Sequence, residues 1–73
     1  MWYFTEEEIT EKLGTWVTLN EDLTVTIESG SSGQVVDIKR TGKGLYALVV
    51  EWNNPEQTQV EFDKRGYIRF VKE

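Results

Sequence analysis

The stretch that most constrains this chain runs from Gly33 to Trp52, GQVVDIKRTGKGLYALVVEW. Two runs rich in β-branched and aromatic residues, Gln34 to Ile38 and Leu45 to Trp52, flank a polar connection carrying Gly42 and Gly44, the pattern of a β-hairpin. By the two-residue period of a strand, Tyr46, Leu48, Val50 and Trp52 share one face and Ala47, Val49 and Glu51 the other. The first face is expected to be core. Because the second is still partly apolar, this strand is expected to be central, with the remaining elements packed around it.

A chain of 73 residues is read as one domain over 1–73, near the size at which a single core leaves only ~3–5 kcal/mol of net stability. It has no cysteine and no histidine, so disulfides, thiolate zinc sites and Ser-His or Cys-His nucleophiles are excluded. The longest apolar run, Leu45 to Val50, is too short for a membrane span, and Met1 to Phe4 leads at once into acids, unlike a signal peptide. The expected setting is cytoplasmic.

The net charge is −5, which argues against a general nucleic-acid binder. Its distribution is lopsided: residues 1–38 carry eight acids against one base, Lys12, whereas residues 39–73 carry seven bases against five acids. That asymmetry suits orientation of a charged partner, and it equally suits charged faces that are simply solvated.

Along the chain, Thr5 and Glu8 have the spacing of a capping box, Phe4 and Ile9 that of a hydrophobic staple, and Gly14 is placed to end the helix. A helix is therefore expected over about 5–13, lying on the domain through Ile9 and Leu13. Trp16 to Leu19 alternates with Val17 and Leu19 inward; Leu23, Val25 and Ile27 form the apolar face of another expected strand. SGSSG, residues 29–33, reads as a flexible connection, and Asn53 to Pro55 as a turn. Thr58, Val60 and Phe62 form one face of a further strand. Asp63 to Gly66 reads as a polar turn, and Tyr67 to Val71 as a closing strand with Ile68 and Phe70 on one side.

Five or six short strands with one N-terminal helix predict a mainly β domain, a small antiparallel barrel over about 14–72. The succession GTWVTL, a long excursion, SSGQVVDI, YALVVEW, TQVEF and YIRFV resembles an SH3-like small β-barrel, and SGQVVDI is similar to the glycine-containing strand of KOW-type modules. The resemblance implies a rolled sheet of five strands. The chain lacks the basic surface of KOW modules and the ALYDY-like loop motif through which peptide-binding SH3 domains take polyproline, so no ligand residues carry over.

Of the thirteen acids, Glu51 and Glu61 interrupt apolar strands and are the best candidates for acid-base chemistry, with a solvent-facing role as the alternative. GSSG at 30–33 leads into strand residues rather than the Lys-Ser/Thr and helix of a phosphate loop. Asn20 to Asp22 lack the ligand spacing of a calcium loop. No cofactor and no metal is expected. Nine large aromatic rings exceed what so small a core covers. Trp16 and Tyr67 lie opposite the apolar faces of their strands, where they either contact the helix or, with Trp2 and Tyr3, anchor a partner protein. The leading expectation is a non-catalytic protein-binding module, an adaptor, accessory subunit or inhibitor. The alternatives are a nucleic-acid-associated barrel using Lys39, Arg40, Lys43, Lys64, Arg65 and Arg69, and an acidic mimic of nucleic acid using Glu6 to Glu11 and Glu21 to Asp22.

Overall fold

The computed structural model describes residues 2–73. The hairpin forms as the alternation requires. Strand β2 (Ser32–Gly42) pairs antiparallel with β3 (Leu45–Trp52), turning at Lys43 and Gly44. Gly44 has φ of +71°, a conformation that glycine adopts without steric cost and the reason the turn is tight. Leu48, Val50 and Trp52 are fully buried and Tyr46 half-buried, as the period predicts; Ala47, on the other face, is buried as well.

Helix α1 (Glu6–Lys12) carries the predicted capping box: the Thr5 hydroxyl accepts from the Glu8 amide, and the Glu8 carboxylate accepts from the Thr5 amide at 2.9 Å. Phe4 and Ile9 are both buried, so the staple closes. Phe4 also exchanges two backbone hydrogen bonds with Tyr46, 2.8 and 2.9 Å, which hangs the helix on β3. Leu13, expected to pack inward, is instead half exposed at the helix end.

Strand β1 (Trp16–Leu19) pairs with β2 and buries Val17 and Leu19, as expected. The next expected strand does not form. Leu23 to Ile27 is a looped excursion with one isolated bridge, Thr24 to Ile27, because the Thr24 hydroxyl accepts from the amides of Thr26 and Ile27 at 3.3 and 3.2 Å. A short hydroxyl side chain that bonds its own backbone competes with a ladder. Ile27 is buried, Leu23 partly so, and Val25 stands out at the loop tip.

The C-terminal expectation is corrected in the same way. After β4 (Gln59–Phe62), the segment read as a turn and strand is helix α2 (Lys64–Phe70), and only Val71–Lys72 is strand, β5. The Asp63 carboxylate caps the helix, accepting from the Gly66 amide at 2.7 Å. Tyr67, Phe70 and Val71 turn inward at helical spacing, and Ile68, expected on a strand face, is exposed.

Among the described residues the five strands form one antiparallel sheet in the order β4-β3-β2-β1-β5, curled into a half-barrel, with two short helices. The fold is mainly β, as expected, with a second helix where a strand was read. The core inside the curl is bound by ring packing: Phe4 meets Tyr67 edge-on at 5.4 Å and Trp52 meets Phe62 edge-on at 6.3 Å.

Candidate protein-interaction surfaces

Strand register places Trp16, Gln34, Glu51 and Gln59 in one row across the outer face, from β1 to β4. Trp16 is 70% exposed, although Val17 and Leu19 on the same strand are buried. Beside it lies a recess of about 220 Å³ lined by Gln34, Glu51, Trp52, Asn53 and Gln57. The Gln59 amide donates to the Glu51 carboxylate at 3.2 Å, and the Gln34 amide donates to the Gly14 carbonyl at 3.2 Å, so the polar side chains are held in place. Gln57 adopts φ of +50° at the turn that frames the recess. The Trp52 indole N–H is buried with no acceptor among the described residues. An exposed indole beside fixed amides and a carboxylate offers an apolar contact surface with directional hydrogen bonds at its rim.

The other aromatic candidates divide. Trp2 is about half exposed, with the Lys64 ammonium 4.8 Å from its ring centroid, a cation-π contact. Tyr3 lines a groove of about 390 Å³ with Leu23, Val60, Phe62 and Phe70. Tyr67, expected as a possible anchor on a strand, is a buried helical residue, so it offers no exposed ring. Its hydroxyl donates to the Glu73 carboxylate at 2.8 Å, and Lys12 pairs with the same oxygen at 2.6 Å. Lys64 pairs with Glu8 across the two helices. That pair holds the Glu8 carboxyl down, from 4.5 to about 2, first through the Lys64 hydrogen bond and then through the Thr5 amide. Lys12 and then Tyr67 lower the Glu73 carboxyl, while burial and then Glu73 raise the Tyr67 phenol. These groups tie α1 to α2 and neutralise one another.

The six basic candidates are largely engaged. Lys39 pairs with Glu61 at 3.3 Å, Arg69 with Glu21 at 2.8 Å, and Lys64 with Glu8. Arg40 donates to the Gly42 carbonyl at 3.4 Å near the hairpin turn, where Lys43 is exposed, and Arg65 is exposed on α2. Glu51 and Glu61, the acid-base candidates, sit on the outer face and neither is buried.

Sequence reasoning found Trp16 but not Gln34, Asn53 or Gln57, because their place beside it depends on strand register rather than on local pattern. No helix among the described residues is long and apolar enough to cross a membrane. No family model, curated protein or solved structure matches the chain. Fold and surfaces together define a class: a small, mainly β half-barrel with an exposed tryptophan on its outer face and an apolar groove at one sheet edge.

Proposed function

We propose that this chain is a non-catalytic protein-binding module of the SH3-like small-barrel kind, an adaptor, accessory subunit or inhibitor that engages its partner through the Trp16 face. The observation that carries this reading is the 70% exposure of Trp16 in a domain whose other strand-borne tryptophan, Trp52, is fully buried. Exposed tryptophans with a hydrogen-bonding rim dominate interface energies, often contributing about 2 kcal/mol or more on truncation. The placement of β5 beside β1 and the glycine at the start of β2 support the SH3-like reading. The test compares Trp16→Ala with the parent chain in affinity purification from the source cell, with urea unfolding as control. The variant is expected to keep its stability to within about 0.5 kcal/mol and to lose the captured partner. Retention of the same partner at the same yield would assign binding elsewhere.

A further inference from the structure

Among the described residues, β4 lies at one end of the sheet and pairs with β3 alone. Its hydrogen-bonding phase follows from one contact: the Trp52 amide donates to the Thr58 carbonyl at 2.9 Å. Bonded and non-bonded pairs alternate along an antiparallel ladder, so Val50 with Val60 and Leu48 with Phe62 are the next bonded pairs. The main-chain N–H and C=O groups of Gln59 and Glu61 consequently face away from β3, as the open edge of the sheet. The groove lined by Tyr3, Leu23, Val60, Phe62 and Phe70 runs beside that edge. Glu61 and Asp63 also line the groove, and an adjoining hollow that shares Leu23 adds Asp22 and Glu28. Neither hollow has a lysine or arginine among its described lining residues, and Lys39 offsets only Glu61.

We infer that the β4 edge is a docking site for an extended basic segment of a partner protein, which adds to the sheet as an antiparallel strand. Main-chain bonds to Gln59 and Glu61 supply the pairing, as in other cases of strand addition. The register then sets the segment's side-chain pattern. Residues opposite Val60 and Phe62 point into the apolar groove, and residues opposite Gln59 and Glu61 point to the outer face, beside the Glu61 carboxylate. On that face Glu61, with Glu51 of β3 opposite Gln59, selects lysine or arginine at the outer positions. Asp63, Asp22 and Glu28 on the groove side add to the negative field that repels an acidic segment. This site meets the outer-face row at Gln59, the end of the row away from Trp16, and does not depend on Trp16.

The test titrates the full chain with a synthetic peptide of alternating lysine and valine, with glutamate-valine and lysine-serine peptides as comparisons. The lysine-valine peptide is expected to bind, to slow hydrogen exchange of the Gln59 and Glu61 amides, and to weaken as salt rises from about 0.05 to 0.5 M. Methylating the lysine backbone nitrogens, which face β4, is expected to weaken binding about tenfold or more through lost hydrogen bonds. Methylating the valine nitrogens leaves it within about twofold, because those nitrogens point away. Gln59→Pro removes one outward N–H while leaving the β3 ladder intact, and it is expected to weaken binding about fivefold or more. The peptide-side methylations keep the test sharp even if that variant folds poorly. No binding of the lysine-valine peptide at millimolar concentration, equal binding of the glutamate-valine peptide, or indifference to which nitrogens are methylated would overturn the inference. Sedimentation showing that the chain instead pairs with itself through β4 would overturn it as well.

Discussion

Replacing Gly33 with alanine tests the packing on which the whole sheet depends. A Cβ at this position lies 2.6 Å from Trp52 Cε3 and 2.9 Å from Val50 Cγ1, where carbon contacts settle at about 3.5–4.0 Å. One neighbour or the backbone must therefore move by roughly 1 Å. Neither neighbour has room, since both are fully buried and the Trp52 ring is braced edge-on against Phe62 at 6.3 Å. Overpacking of this kind costs about 1–3 kcal/mol, against which the reduced freedom of the unfolded chain returns about 0.4–1 kcal/mol. A net loss of about 1–2 kcal/mol is expected, a large share of the ~3–5 kcal/mol available to so small a core. In thermal unfolding this lowers Tm by roughly 4–16 °C, and in urea it lowers the midpoint by about 0.5–2 M with the slope unchanged. Near-UV circular dichroism should change too, because the Trp52 ring is displaced. Gly30→Ala is the comparison: φ there is +92° and nothing lies within 4 Å, so about 1 kcal/mol is lost through backbone strain alone, without a core signal. If Gly33→Ala were as stable as the parent chain to within about 0.5 kcal/mol, the close approach of β2 to Trp52 would not exist.

Asp63→Ala removes the cap of α2 and is expected to cost about 1 kcal/mol in urea unfolding, with a loss of helical signal. In acid, the depressed carboxyl of Glu8 makes its contribution to stability full above its ordinary value of 4.5 and lost as pH falls towards about 2; Glu8→Gln is expected to flatten the urea midpoint across that window. In alkali the sign is opposite: Tyr67 holds its proton in the folded chain, so stability falls as pH rises above the ordinary phenol value of 10.0. Its phenolate absorbance is expected to develop together with unfolding rather than before it, and Tyr67→Phe removes that coupling.

Much of the fold was legible because it is local. The capping box at Thr5 and Glu8, the β2-β3 hairpin and the inward turn of Val17 and Leu19 each rest on contacts within a few residues or on a strict two-residue period. The two misread segments are those in which a polar side chain bonds its own backbone. Thr24 bends Leu23 to Ile27 into a loop, and Asp63 starts a helix where Gly66 suggested a turn. Tyr67, Phe70 and Val71 fit a helical face, whereas Ile68 and Phe70 fit a strand face, and five residues do not separate the two periods. Alternation placed Trp16 opposite the apolar face of β1 but left open whether the helix covers it; the structure leaves it 70% exposed. Its row of neighbours was not legible, since Gln34, Glu51 and Gln59 come from three strands whose register is a long-range property.

The Asp63 cap also decides which edge of the sheet stays open. A tight turn over 63–66 followed by a strand would return the chain along β4 and cover it as a hairpin. A helix of seven residues instead advances about 10 Å and delivers Val71 and Lys72 to the far end of the sheet, where they pair with Leu19 and Thr18 of β1. The half-barrel is thus finished on the β1 side by a two-residue strand, and β4 keeps its outward main-chain groups beside the groove that α2 and the Leu23 loop wall off. The feature hardest to read in the sequence and the surface best suited to receive another strand therefore have one cause: a carboxylate that accepts from the Gly66 amide and turns strand into helix.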